Sequence, residues 1–139
     1  MVVSVNNTDT AGMAGALEVS MDAHLTRYAH QVHEFERFSG TDIEGNWKSL
    51  LYIATSTQHL WDCIGPHLDY AARKALLDAV EGLNVSERLL LAIAENLYTG
   101  QGGVNLAQVA ATLTDDELAV MKTALEVSWS SMWINGEYV

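Results

Sequence analysis

The sequence predicts an all-α protein, a compact single-domain bundle of five to six helices with a loose N-terminal arm. Three observations predict it. Apolar side chains recur at every third or fourth position along most of the chain, the period of one helix face. There is one proline, and the ten glycines sit mostly between the apolar runs, where they stop helices. Runs of alternating Val, Ile and Thr, the mark of half-buried strands, are few. The 139 residues, 49% of them hydrophobic, fit one domain with a sizeable core. Two regions are expected: a flexible arm over 1–16, aperiodic and rich in Asn, Thr, Gly and Ala, and a helical domain over 17–139.

The first helix is expected from Leu17 to Phe38, with Leu17, Met21, Leu25, Tyr28, Val32 and Phe35 inward and Ser39-Gly40 as its stop. Its stretch "HQVHEFERF" sets two histidines beside a glutamate. At about 100° per residue, His30, Glu34 and Arg37 fall opposite the apolar stripe and His33 on its flank. A metal site inside a bundle needs ligands that point inward, so this is read as a solvated face. His24 alone sits at the edge of the buried stripe, as a satisfied boundary histidine.

A second helix is expected from Asn46 to Ile64, with Trp47, Leu50, Leu51, Ala54, Thr57, Trp61 and Ile64 inward. Thr41 with Glu44, or Asn46, would cap it. Thr55, Ser56 and Thr57 lower helix propensity in mid-run, which leaves room for a bend or a strand there. Gly65-Pro66 separates it from a third helix, Pro66 to Leu83, because proline suits the first helical turn. The buried face there is read as Leu68, Ala72, Ala75, Leu76, Ala79, Val80 and Leu83.

"NVSE" supplies Asn84 as cap and Glu87 three residues on for a fourth helix, Val85 to Tyr98. This helix is apolar on nearly every side, which suits the centre of a bundle or a subunit interface, the centre being the preferred reading. "GQGGVN" fits neither GxGxxG nor GxxxxGK and reads as a connector. A short helix, Asn105 to Ala111, follows. In "LTDDEL", Thr114 caps, Glu117 reaches back, and Leu113 and Leu118 form a hydrophobic staple. That opens the last helix, Asp115 to Trp133, with Leu118, Met121, Leu125, Trp129 and Met132 inward.

The net charge is −11, with only seven Lys and Arg. From Leu89 to Val139, Lys122 is the only basic side chain against six carboxylates. Such a surface repels phosphate backbones and anionic lipid, so neither direct nucleic-acid binding nor membrane binding is expected. The single cysteine, Cys63, excludes an intrachain disulfide and CxxC chemistry. There is no basic n-region of a secretory signal, and the longest apolar run, "LLLAIA", is far too short to span a bilayer. The reducing cytoplasm is the expected compartment.

Catalytic motifs are sparse. A di-iron bundle needs Glu-x-x-His on inward faces, but the residues three before the histidines are Met21, Arg27, His30, Ser56 and Ile64. No metal and no cofactor are expected. In "HLWDCIGPH", His59, Asp62, Cys63 and His67 gather with Trp61 at a helix corner, the weak candidates for a catalytic or ligand site. A buried structural cysteine is the simpler reading of Cys63.

Two functions are therefore weighed. The first is a non-enzymatic acidic protein that binds a protein partner with a basic surface, including an inhibitor that occupies a nucleic-acid-binding face as phage-borne anti-defence proteins do. Asp115, Asp116, Glu117, Trp133 and Tyr138 are its candidate binding residues, since acids complement a basic surface and aromatics favour interfaces. A second copy of the chain, making a homodimer, is a further candidate partner. The second function is a small enzyme or ligand-binding protein using the His59, Asp62, Cys63 and His67 corner.

Overall fold

The computed structural model describes residues 9–131, 133–134 and 137–138, with side chains over 21–130. Among them are six α-helices: α1 (Asp9–Ser39), α2 (Gly45–Ala54), α3 (Gln58–Ile64), α4 (Val85–Thr99), α5 (Leu106–Thr112) and α6 (Asp115–Ser131). Two small antiparallel strand pairs join them, β1 (Leu68–Asp69) with β2 (Lys74–Ala75) and β3 (Trp133–Ile134) with β4 (Glu137–Tyr138). The fold is a compact helical one, as the periodicity predicts. The first helix begins at Asp9, ahead of the expected start at Leu17.

The centre is α2, where the sequence pointed to α4. Trp47, Ser49, Leu50, Leu51, Ile53 and Ala54 are all buried, because α1, α4 and α6 pack around this helix. Full burial of each large side chain contributes about 1.5–3 kcal/mol. Phe35 of α1 meets Trp47 at 4.8 Å between ring centroids, and His24 meets Tyr52 at 4.4 Å. The later residue of α1 thus meets the earlier residue of α2, so the two helices run antiparallel. Asn46 Nδ2 donates to the Tyr98 carbonyl at 3.3 Å, which makes α2 and α4 antiparallel too. Ser86 Oγ donates to Glu117 Oε2 at 2.8 Å and joins the starts of α4 and α6.

The expected second helix is broken where its Ser and Thr cluster. Thr55 Oγ1 bonds back to the Leu51 carbonyl at 2.7 Å and Ser56 Oγ to the Ile53 carbonyl at 2.7 Å, while Thr57 accepts the Leu60 N–H and caps α3. Such local bonds compete with helix continuation. Arg27 of α1 braces the break, with Nε on the Thr55 carbonyl at 2.8 Å and Nη2 on that of Ser56 at 3.3 Å. Neither predicted cap of α2 is used: Glu44 stands at the N-cap without a side-chain bond.

No third helix spans 66–83. The segment is a 3-10 turn at Gly65–His67, the β1–β2 hairpin and a second 3-10 turn at Leu77–Ala79. Asp69 Oδ1 takes the Ala72 N–H at 3.0 Å, and Arg73 adopts φ 55, both incompatible with a continuous helix. Tyr70 instead points into the core, 5.5 Å from Phe35 and 5.9 Å from Trp47 between centroids, and donates to Gln31 Oε1 at 2.6 Å. Burial, with Glu34 nearby, pushes its phenol well above the usual range, so it stays protonated.

The caps of α4 and α6 are as predicted. Asn84 with Glu87, and Thr114 with Glu117, each form a reciprocal capping box. Several inward assignments are not met. Met21 is 64% exposed, Leu76 63% and Trp129 65%, with Leu25 and Leu125 also exposed. Leu25 and Leu125 each follow a buried neighbour, His24 and Ala124, so the buried stripe runs one position before them; helix length accounts for Met21 and Trp129. At 1.5 Å per residue α1 runs about 46 Å and α6 about 26 Å, while α2 offers only about 15 Å to cover them. Leu76 follows from the hairpin that replaces the third helix.

Candidate functional site

The four-residue reach of α3 places His59 and Cys63 on one face, one turn apart. Thr57 fixes the start of that helix and Arg27 fixes its approach. Opposite His59 lies the first turn of α4. Glu87 Oε1 accepts the Asn84 N–H at 2.9 Å, and Oε2 meets His59 Nδ1 at 2.7 Å. A carboxylate only accepts, so Nδ1 carries a proton, and in the neutral imidazole Nε2 then keeps its lone pair. That lone pair faces Cys63 Sγ at 3.7 Å. The result is a thiol, an imidazole and a carboxylate in line.

The electrostatics of the carboxylate are mixed. Burial, to 8% exposure, pushes Glu87 up, but the Asn84 N–H, the His59 hydrogen bond and the charge His59 carries when protonated together hold it below the usual carboxylate range. His59 itself is open to solvent on its other face, with a side chain 57% exposed. Gly82 stands beside the sulfur, at φ +85, and a Cβ there would lie 3.6 Å from Sγ. Chemically, the array can move a proton from a thiol to an imidazole whose orientation is fixed.

Of the four residues expected at this corner, the fold brings together only His59 and Cys63, and it adds Glu87 on the far side of the imidazole. Asp62 turns away and accepts from Gln58 Nε2 at 2.8 Å. His67 sits in the 3-10 turn and lines an open cavity of about 540 Å3, with Phe38, Tyr70 and Leu76 on its walls. The Trp61 ring covers Gly65, where a Cβ would meet it at 3.0 Å. From sequence alone Glu87 reads only as a cap. Its second oxygen, which a capping box leaves over, is the signal that an additional partner exists.

The candidate binding residues divide as well. Asp115 and Asp116 are exposed at the start of α6 and make no ion pair among the described residues. Glu117 is spent on the Thr114 N–H and the Ser86 hydroxyl. The β3–β4 register sets Trp133 opposite Tyr138; the side chains of both lie outside the described residues. Among the described residues, no group of three or more His, Cys, Asp or Glu is placed to hold a metal ion. None of their helices is long and apolar enough to cross a membrane.

Comparison with protein-family models, with curated proteins and with solved structures finds no match for this chain. The functional reading therefore rests on geometry and charge.

Proposed function

We propose that this chain is a non-enzymatic acidic protein that acts by binding a protein with a basic surface. The observation that carries the reading is the way the fold spends its charges. Of seven Lys and Arg, three are engaged internally: Arg27 on the Thr55 and Ser56 carbonyls, Arg37 on Glu34, and Arg73 on Glu44 and Thr41. Asp78, Glu81, Asp115 and Asp116, by contrast, are exposed. A surface so biased steers a basic partner toward it and lowers the cost of aligning the two. The finer form of the reading is that the partner's basic face is one that holds nucleic acid, so that the two ligands exclude each other.

The experiment is capture by the tagged chain, wild type against the Asp115→Lys, Asp116→Lys double variant, at about 0.1 M and about 0.5 M salt. The reading expects a defined basic protein, retained by wild type at low salt, lost at high salt and weakened by the charge reversal. Displacement of that protein's bound nucleic acid supports the finer form. Capture that ignores both salt and charge reversal contradicts the reading.

A further inference from the structure

We infer that Cys63 is a thiol-exchange site, a nucleophile toward low-molecular-weight disulfides, with His59 as its proton acceptor and Glu87 as the residue that positions the imidazole. This goes beyond the binding role, and nothing in it depends on that role. Four features place it. The Sγ–Nε2 distance of 3.7 Å puts the sulfur one proton away from a free lone pair. The 2.7 Å bond from Nδ1 to a buried carboxylate commits the other nitrogen, so the tautomer is set. The imidazole is open to solvent and the thiol half-buried, so a small reagent has an approach. Gly82, at a left-handed φ, keeps a side chain off that side of the sulfur.

The step balances without any other co-reactant. The Sγ proton passes to His59 Nε2, and Sγ forms a bond to one sulfur of the disulfide. The original S–S bond breaks, and its electron pair leaves on the departing thiolate, which takes the proton back from the imidazolium. Cys63 is oxidised to the mixed disulfide while half of the reagent is reduced to a thiol. The chain has no second cysteine, so no internal thiol resolves the adduct. It persists until an external thiol removes it, which makes Cys63 a reversible modification site at the junction of α3 and α4.

The test follows the gain of one glutathionyl group by intact mass when the folded full chain is mixed with glutathione disulfide. Free N-acetylcysteine under the same conditions sets the reference rate. Wild type should react at least about tenfold faster than the reference, below the ~10²–10⁴ range of an ideally placed base because the contact is long. His59→Ala should fall to the reference rate, and added imidazole should restore part of the loss, an effect that a purely structural role would not give. In Glu87→Gln, the amide oxygen still accepts the Asn84 N–H, but the amide nitrogen donates to Nδ1. That forces the proton onto Nε2, so the rate should fall while circular dichroism shows the fold kept. If Glu87→Gln does not fold, His59→Ala with and without imidazole decides alone. A wild-type rate no faster than the reference, or a rate unchanged in His59→Ala, overturns the inference.

Discussion

Glu87 and His59 share one short hydrogen bond, Oε2 to Nδ1 at 2.7 Å, which ties the first turn of α4 to α3. The same carboxylate closes the capping box with Asn84. Glu87→Ala removes both bonds and should cost about 1–3 kcal/mol. Asn84→Ala removes only the cap and should cost about 1 kcal/mol. Urea unfolding of the two variants checks the order.

His24 makes stability depend on pH. Burial lowers it below its ordinary value, outweighing the bond from Nε2 to the Tyr52 carbonyl at 2.8 Å, and Arg27 lowers it further. The folded chain thus resists protonating a group that the unfolded chain protonates near pH 6.5. Its contribution is fully present above that value and is lost as pH falls through the folded pKa. Glu87, also lowered, adds a second loss of the same sign below its unfolded value of 4.5. Midpoints of thermal unfolding should drop from pH 7.5 to about pH 5.5. In His24→Leu the drop over that window should be smaller than in wild type.

Arg27 holds the break between α2 and α3 by two bonds to backbone carbonyls 28 and 29 residues away. Arg27→Met keeps much of the aliphatic stem and loses both bonds. The expected cost is about 1.5–3 kcal/mol, the range for hydrogen bonds to a charged group. Amide hydrogen exchange should accelerate first around Thr55–Leu60, before the rest of α2.

Core and surface substitutions should separate cleanly. Phe35→Ala and Trp47→Ala empty fully packed positions and should each cost about 3–5 kcal/mol. Met21→Ala and Leu125→Ala, at residues the periodicity alone would bury, should change stability by no more than about 0.5 kcal/mol. Denaturant midpoints measured on the four variants distinguish the two groups.

What was legible in the sequence is what is local. The boxes at Asn84–Glu87 and Thr114–Glu117 involve residues three apart, so the pattern and the geometry coincide. The inward faces of Tyr28, Val32, Phe35 and Trp47 follow from the same periodicity. The failed helix over 66–83 shows the limit. Its apolar spacing is helical, but Asp69 captures a backbone amide and Tyr70 bonds to Gln31, 39 residues away, so tertiary packing overrides local preference. The partnership of Glu87 with His59 spans 28 residues and had no local signature beyond an unused carboxylate oxygen. The exposure of Met21 reflects the length of α1 relative to α2, and that of Leu125 a buried stripe that runs through Ala124 instead; apolar spacing alone carries neither.

The most direct test of the acidic-binding account is the dissociation constant of the captured protein partner as a function of salt. The account predicts that it rises steeply as salt is added and that Asp115→Lys, Asp116→Lys weakens it at low salt and flattens its slope. A dissociation constant that stays level across the salt range in both proteins would contradict it.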